Sequence, residues 1–345
     1  MDLLTQSLLG ATAAVAVARR GHLRRAAGLG LVAGLLPDAD ILFRGAEDPL
    51  LWLQLHRHFT HALVFVPFGA LLAVGLTWPF AGRVLGLRRA YLCALAAYGL
   101  APLVDAATSY GTHLLWPFTT ETVAWSIIAI VDPVFTGVIV AGLGFAVLRR
   151  RPAAARWGLV LGALYLGLGV IQHERAEAVA HEVAAGRGHR PERLLVKPTF
   201  GNLLLWRAVY VASGTVYADG VRVGPGGGVR VYPGDSVTLF DPARHLQDVP
   251  RDSVLWHDIE RFRRFAAGYL ARPADRPHFL GDVRYAMLPT SVSPLWGIQV
   301  DPEHPGEHAR YVTRRELDAA ARSAFLAMLR GRPLPGPDGA QAAGN

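Results

Sequence analysis

The segment AYLCALAAYGLAPLVDAATSY at residues 90–110 is apolar throughout except for one charged residue, Asp105. A membrane-spanning α-helix needs roughly 20 predominantly apolar residues, so this segment is long enough to cross a bilayer. An aspartate near the centre of a span costs roughly 2.5 to 3.5 kcal/mol on insertion scales. The segment therefore predicts a membrane helix in which Asp105 has a partner or a function.

The composition of the whole chain agrees with a membrane protein. Of its 345 residues, 52% are hydrophobic and 18% are charged, which excludes a disordered chain and is unusual for a soluble enzyme. The net charge of +8 is no argument for nucleic acid, because Lys197 is the only lysine and such an arginine bias also follows from genomic base composition. A single cysteine, Cys93, excludes an intrachain disulfide and a cysteine-based zinc site.

Five more apolar stretches flank this segment in the first half of the chain. Residues 1–171 are therefore predicted to form a polytopic α-helical membrane domain with about six spans. The first and last stretches are short for a span. The five stretches cover about 3–18, 26–43, 62–80, 124–148 and 157–171.

The positive charges of this half fall in alternate loops. Residues 19–25, 81–89 and 149–156 carry 11 of the 13 basic residues before position 172 and none of the eight acidic residues. Short cytoplasmic loops collect arginine and lysine, so this pattern predicts a multi-pass protein of the inner membrane. It places the N-terminus and everything after residue 171 on the extracytoplasmic side. If the sixth stretch does not span, the C-terminal part lies in the cytoplasm instead.

The second half of the chain is more polar and predicts a smaller α+β soluble domain at 172–331, followed by a disordered tail at 332–345. A polar helix at 172–190 leads into it. Alternating apolar residues predict antiparallel strands, and an apolar stripe through Leu255, Ile259, Phe262, Phe265 and Tyr269 predicts a helix at 254–270. The expected strands lie at 203–211, 215–223, 229–233, 282–288 and 295–300, and a last helix near 314–330.

Carboxylates and imidazoles gather at one side of the predicted membrane domain. Asp38 and Asp40 in GLLPDAD (34–40), Asp105, and Asp132 all fall in the outer halves of their spans. The histidines of LHRHFTH (55–61) lie on the same side, as do Asp2, Thr5 and Gln6. Imidazole and carboxylate together suit Zn²⁺, and carboxylates also bind Mn²⁺ or Mg²⁺. A divalent cation would offset the repulsion between clustered carboxylates, which is a physical reason to expect one.

Each of these features also has a purely structural interpretation. Asp38 after Pro37 is compatible with a helix break near the membrane surface, and the histidine-rich stretch with an interfacial polar cluster. Arg57 is a candidate either for an ion pair with Asp38 or for binding an anionic substrate such as phosphate. Thr60 is expected to cap the next span, which would put His61 in its first turn.

These motifs resemble the membrane-bound metal-dependent hydrolases of the YdjM-like, LexA-regulated type. The resemblance covers roughly residues 1–171. It rests on Asp2 with Thr5, Pro37-Asp38-Ala39-Asp40, His56-Arg57-His58-Phe59-Thr60-His61, Asp105 with Tyr110-Gly111, and Trp116-Pro117-Phe118.

The resemblance implies a membrane-embedded hydrolase that uses a divalent metal ion, with zinc favoured over manganese or magnesium. Asp40 is the candidate general base and Arg57 the candidate substrate-binding residue. The depth of the site suggests a lipid or lipid-linked ester or phosphoester as substrate. The expected partners are thus the lipid bilayer and a lipid-linked substrate, with no nucleic acid. The expected metal ligands are Asp38, Asp40, His56, His61 and Asp105.

Two departures from the family pattern favour an alternative function. Gln6 stands where the family has its first histidine, and Ala101 stands four residues before Asp105 in place of another. His113, in the following loop, is a candidate substitute ligand. The alternative is a non-catalytic membrane protein whose polar cluster is structural or binds a ligand.

Overall fold

The computed structural model describes residues 1–42, 48–314 and 318–334. The chain forms two compact units. The first includes the described residues up to 42, Gln54–Ile171 and Phe200–Leu203, and the second includes 48–53, Gln172–Thr199 and the described residues from Leu204 onward.

The first unit is helical. Within the described residues, three helical stretches are long and apolar enough to cross a membrane, namely Leu63–Leu85, Leu87–Ala107 and Pro152–Gly186. The prediction of about six spans is therefore not confirmed, because the other apolar helices of this unit are shorter. The α-helices up to residue 186 are α1 (Leu3–Val17), α2 (Leu23–Leu35), α3 (Leu51–Leu55), α4 (Val66–Thr77), α5 (Arg83–Leu85), α6 (Leu87–Ala107), α7 (Pro133–Leu148) and α8 (Pro152–Gly186), of which α3 and α8 continue across the division between the units.

Helices α1 and α2 approach each other closely because glycine lies at their crossing. A Cβ atom on Gly10 would come within 2.5 Å of the Gly30 carbonyl oxygen, and a Cβ on Gly30 within 2.5 Å of the Gly10 carbonyl oxygen. Small residues allow such contact between helix backbones in membrane proteins. The crossing fixes the start of α1 close to the end of α2, where the short 3₁₀ helix Leu36–Leu42 carries Asp38 and Asp40.

Large apolar side chains lie on the surface of the first unit. In α4, Leu71, Leu72 and Leu76 each expose more than half of their area. A water-soluble domain rarely exposes a contiguous surface of this kind, whereas the hydrocarbon interior of a bilayer is a suitable environment for it.

The expected end of the last apolar helix at residue 171 is wrong. Helix α8 continues without interruption from Pro152 to Gly186, through the polar stretch that was expected to form a separate helix. Residues 172–185 contain neither proline nor glycine and are rich in alanine and glutamate, which favour helix. A change from apolar to polar composition marks a change of surroundings and does not end a helix.

The second unit contains two antiparallel sheets. The first has the order β1-β2-β3-β4, with β5 also paired to β3, and the second has the order β6-β7-β8-β9. Apolar side chains of both sheets, including Val209, Val211 and Ala271, form one buried cluster. The strands are β1 (Arg193–Pro198), β2 (Leu205–Ala212), β3 (Thr215–Val223), β4 (Val229–Tyr232), β5 (Ser236–Thr238), β6 (Leu270–Ala271), β7 (Phe279–Asp282), β8 (Trp296–Gln299) and β9 (Arg310–Thr313).

Three helices accompany the sheets, α9 (Pro242–His245), α10 (Val254–Phe265) and α11 (Ala319–Leu329). Helix α10 ends five residues before the predicted boundary. Ala267 and Gly268 have φ angles of +49° and +75°, which terminate a helix, so Tyr269 belongs to the sheet core instead of the helical stripe. Strands β1, β5, β6 and β9 were not predicted, and the strand expected at 282–288 ends at Asp282. Most of the predicted tail, residues 335–345, lies outside the described residues.

The only lysine of the chain is buried in the second unit. Lys197 on β1 pairs in register with Arg207 on β2, and its Nζ atom lies 3.2 Å from the centre of the Tyr285 ring. Burial, together with the positive charges of Arg207 and Arg284, holds the pKa of Lys197 well below its ordinary value, against the opposing influence of Asp282. The unfolded chain therefore binds a proton more readily at this position than the folded chain does.

This difference makes the stability of the second unit depend on pH. Because the folded-state pKa of Lys197 is lowered, protonation favours the unfolded chain, and the penalty fades as the pH rises toward the ordinary value of about 10.4. Lys197→Met keeps an unbranched side chain, one atom shorter, and removes the charge. We expect it to raise the melting temperature at pH 7 by at least about 2 °C, the shift that roughly 1 kcal/mol gives in a unit of this size.

The measurement is thermal unfolding of the full chain in detergent, at pH 7 and again at pH 10. The gain from Lys197→Met should shrink at the higher pH, which lies close to the ordinary lysine pKa, because the unfolded chain then loses much of its advantage in binding the proton. An equal gain at both pH values would show that packing, and not charge, is responsible.

Candidate metal centre

Three side chains from separate parts of the first unit meet in its interior. Asp38 lies in the 3₁₀ helix after α2, His61 ends the short 3₁₀ helix Phe59–His61, and Asp105 lies in the last turn of α6. The His61 Nε2 atom is 3.0 Å from Asp105 Oδ2 and 3.5 Å from Asp38 Oδ1. All three residues are buried, and one ligand atom from each lies within 4.8 Å of the others. Their spacing is compatible with a shared cation.

A second group shares Asp38 with the first. Asp38, Asp40 and His56 also offer ligand atoms within 4.8 Å of one another. Asp40 accepts hydrogen bonds from the Arg57 backbone N–H at 2.9 Å and the Thr60 hydroxyl at 3.0 Å, and its Oδ1 lies 2.9 Å from His56 Nδ1. The structure thus brings the five residues expected as metal ligands into one cluster. Whether they bind a metal stays a prediction.

Arg57 links the two halves of this cluster. Its backbone N–H donates to Asp40, while its guanidinium lies 2.8 Å from Asp105 Oδ1 and donates to the Thr108 hydroxyl at 2.9 Å. The sequence left open an ion pair between Arg57 and Asp38, but the structure pairs Arg57 with Asp105. The α-amino group of Met1 also contacts Asp105 Oδ1.

Several buried polar atoms in the cluster lack hydrogen-bond partners among the described residues. They are Asp38 Oδ2, His61 Nε2, Gln6 Oε1 and Arg57 Nε. The short contact from His61 Nε2 to Asp105 does not have the angles of a hydrogen bond. Buried polar groups are normally satisfied, so each unpaired atom needs an explanation. An imidazole nitrogen beside two carboxylates is a donor set that zinc accepts, and the residues therefore fit a divalent cation.

Other polar residues that the sequence placed near this cluster have structural roles. Asp132 caps α7 by accepting from the N–H groups of Val134 and Phe135, both at 3.0 Å, and it accepts from the Tyr165 hydroxyl at 2.9 Å. Asp2 caps α1 by accepting from Thr5. A capping carboxylate and a ligating carboxylate look alike in sequence, because both sit at the end of an apolar stretch.

Two further expectations are wrong. Thr60 does not cap the next span, whose first α-helical residue is Val66; its hydroxyl donates to Asp40 instead. His113 does not join the acidic cluster. Its ring packs against His58, with ring centres 4.7 Å apart.

The second unit contains one acidic and histidine group that sequence reasoning missed. Asp48, Asp258 and His308 offer ligand atoms within 4.8 Å of one another. Arg261 lies 2.8 Å from Asp48 and 3.0 Å from Asp258, so its guanidinium bridges the two carboxylates, and His308 Nδ1 lies 2.8 Å from Asp258. Although burial raises the pKa of Asp48, the hydrogen bond and charge of Arg261 outweigh it and hold this pKa below its ordinary value. We interpret the group as an ion-pair network. Its members are too far apart in the chain for any local pattern to reveal them.

Helices that can span a bilayer, together with the buried cluster, define a membrane protein with a candidate metal centre. Residues 1–176 match the family described as YdjM inner membrane protein, and the chain belongs to that family. No match to this chain was found among curated proteins or among solved structures.

Because Asp132 caps a helix, replacing it should lower the stability of the protein and leave its metal content unchanged. Asp132→Ala removes the acceptor for two backbone N–H groups, and the loss of such a cap costs about 0.5 to 2 kcal/mol. We expect a lower melting temperature in detergent and an unchanged metal content in the purified protein. Loss of bound metal in this variant, with the fold retained, would place Asp132 in the metal centre.

Proposed function

We propose that the protein is a membrane-embedded, metal-dependent hydrolase. The observation that carries this proposal is the pair of overlapping ligand groups around Asp38, in which several buried polar atoms are unpaired. Family membership supports a protein of the inner membrane and leaves the reaction open.

The ligands we propose are Asp38, His61 and Asp105 on one side, and Asp38 and His56 on the other, where Asp40 completes the group by holding His56. Asp38 belongs to both groups and keeps one oxygen without a hydrogen-bond partner among the described residues, so it is suited to bridge them. His56 contacts Asp40 through Nδ1, which leaves Nε2 as its ligand atom. A carboxylate on the far nitrogen orients a metal-binding imidazole and raises its basicity.

Asp40 and Arg57 are the residues that we place beside the reaction. Both oxygens of Asp40 are engaged by His56, Thr60 and the Arg57 backbone, so its strongest role is to hold His56. Its role as general base stays a proposal. Arg57 keeps its Nε without a hydrogen-bond partner in the described chain, and this N–H is the donor we propose for an anionic oxygen of the substrate.

A bound zinc ion, which we favour over manganese or magnesium, would lower the pKa of a water ligand toward about 7 and polarise a carbonyl or phosphoryl oxygen. The cluster lies among residues that enter or leave apolar helices. A lipid or lipid-linked ester or phosphoester is therefore the substrate class that we propose.

A non-catalytic role is the second candidate, and one observation favours it. Gln6, which replaces a family histidine, donates from Nε2 to Asp105 Oδ2 at 3.2 Å. With Arg57 and the Met1 amino group on its other oxygen, Asp105 is partnered without any metal. In that case the cluster would be a structural charge network.

Metal analysis of the purified full chain tests the centre. Asp38→Ala, His61→Ala and Asp105→Ala each remove a proposed ligand, and we expect each variant to lose bound zinc. Asp40→Asn keeps the shape of the side chain but weakens its hold on His56, and should lower zinc affinity about 10- to 100-fold. Asp132→Ala is the matched control, because it removes a buried carboxylate that caps a helix.

Hydrolysis is measured on the same samples with lipid-soluble ester and phosphoester probes. We expect the wild type to cleave at least one probe class and the ligand variants to lose that activity. Unchanged metal content in all three ligand variants would end the proposal. A wild type that binds metal and cleaves no probe would favour the non-catalytic role.

We further propose about six spans, with the second unit on the extracytoplasmic side. The support is the arginine-rich loops of the first unit and the length of α8, which exceeds the thickness of a bilayer.

Cysteine labelling tests this orientation, because Cys93 is buried and gives a low background. Ser293→Cys introduces a thiol at an exposed position of the second unit, and Gly21→Cys introduces one in the first arginine-rich loop, where a Cβ has free space. A membrane-impermeant maleimide should label Ser293→Cys in intact cells and Gly21→Cys only after the membrane is broken. The reverse pattern would place the second unit in the cytoplasm.

A further inference from the structure

Two histidines outside the acidic cluster lie side by side. His58 precedes the 3₁₀ helix Phe59–His61, and His113 follows α6 in the chain. Two backbone hydrogen bonds hold their segments together, from His113 N–H to the Arg57 carbonyl at 3.0 Å and from Leu63 N–H to the Leu114 carbonyl at 2.9 Å. The pair is therefore positioned by the backbone and does not depend on ring packing alone.

His113 Nδ1 and the ring of His58 are available for a ligand. His113 Nδ1 is buried and has no hydrogen-bond partner in the described part of the chain, while the backbone of Thr120 accepts a hydrogen bond from the ring. An N–H directed at a carbonyl fixes the tautomer and leaves the lone pair on the other nitrogen, which is the usual state of a metal-binding histidine. His58 has ring contacts with His113 and Trp116 and shows no side-chain hydrogen bond within the described residues.

The separation of the rings suits one shared ion. The ring centres are 4.7 Å apart and the ring planes are inclined by 59°, so the rings are not stacked in parallel. For a metal–nitrogen bond of about 2.1 Å and a ring radius of about 1.1 Å, two imidazoles at about 90° to 110° around one ion have centres about 4.5 to 5.2 Å apart. The observed separation lies within that interval without any movement of the backbone.

We propose that His58 and His113 form a second metal site, separate from the acidic cluster, for a divalent cation that prefers imidazole. With two neutral nitrogen ligands and no carboxylate, such a site selects Cu²⁺, Ni²⁺ or Zn²⁺ over Mg²⁺ or Mn²⁺. Both residues are half-buried, so solvent supplies the remaining ligands. The ion in this site exchanges freely, unlike an ion held by the buried carboxylates.

The test uses Cu²⁺ as the probe on the full chain in detergent, after removal of bound metals. Calorimetric titration gives the number of sites, and electron paramagnetic resonance reports nitrogen ligands. His58→Phe and His113→Phe keep the aromatic contacts and remove the nitrogens. We expect each variant to weaken one class of Cu²⁺ site by at least about tenfold, and the double variant to abolish it. His257→Phe, at an exposed position of α10, should leave it unchanged.

The His61→Ala variant distinguishes the two metal sites. It should impair the acidic centre and leave the His58 and His113 site intact. In the wild type, Zn²⁺ should protect both histidines from acylation by diethyl pyrocarbonate, as measured by mass spectrometry. This second measurement does not depend on the folding of a variant. Unchanged Cu²⁺ affinity in the folded double variant, or acylation of both histidines at the same rate with and without Zn²⁺, would overturn the proposal.

Discussion

Buried negative charge is the constraint on which the first unit depends. Asp38, Asp40 and Asp105 lie among apolar helices, where an unpaired carboxylate is costly. Arg57, together with the Met1 amino group, supplies the compensation that is visible in the structure. The Arg57 φ angle of +59° lies in a region that non-glycine residues seldom occupy, and this conformation lets its backbone bind Asp40 while its guanidinium binds Asp105. One residue in a strained conformation therefore pairs with the charge of Asp105 and donates a hydrogen bond to Asp40.

The charges of the cluster also explain why a cation is a reasonable expectation. One guanidinium and the Met1 amino group face three carboxylates, and the imidazole of His61 lies between Asp38 and Asp105, with no hydrogen bond from Nε2 among the described residues. A divalent ion would remove the remaining repulsion and satisfy the unpaired atoms at once. A protonated His61 would remove part of the repulsion, but it would still leave an oxygen of Asp38 without a partner.

The sequence revealed the residue types of the cluster and little of its geometry. Asp38, His61 and Asp105 stand out because charged and imidazole groups are rare in apolar stretches. Asp132 stands out for the same reason and is a helix cap, since sequence does not distinguish a carboxylate that binds backbone N–H groups from one that faces other side chains. The strands β2 and β3 follow from alternation, which depends only on local pattern. The continuity of α8 was missed because a change from apolar to polar composition does not end a helix, and β1 was missed because its pairing with β2 is not visible in the local pattern.

The two departures from the family pattern fall on one side of the cluster. Gln6 binds Asp105 directly, and Ala101 lies one helical turn before Asp105 on α6. The group formed by Asp38, Asp40 and His56 contains neither departure. If the missing histidines are ligands in the family, their loss weakens the side that contains Asp105, where Arg57 and Gln6 already supply partners. The side with Asp38 and His56 keeps its carboxylate, its imidazole and the Asp40 carboxylate that orients the imidazole. The physical argument therefore favours weaker metal binding on the side of Asp105 and His61 than on the side of Asp38 and His56.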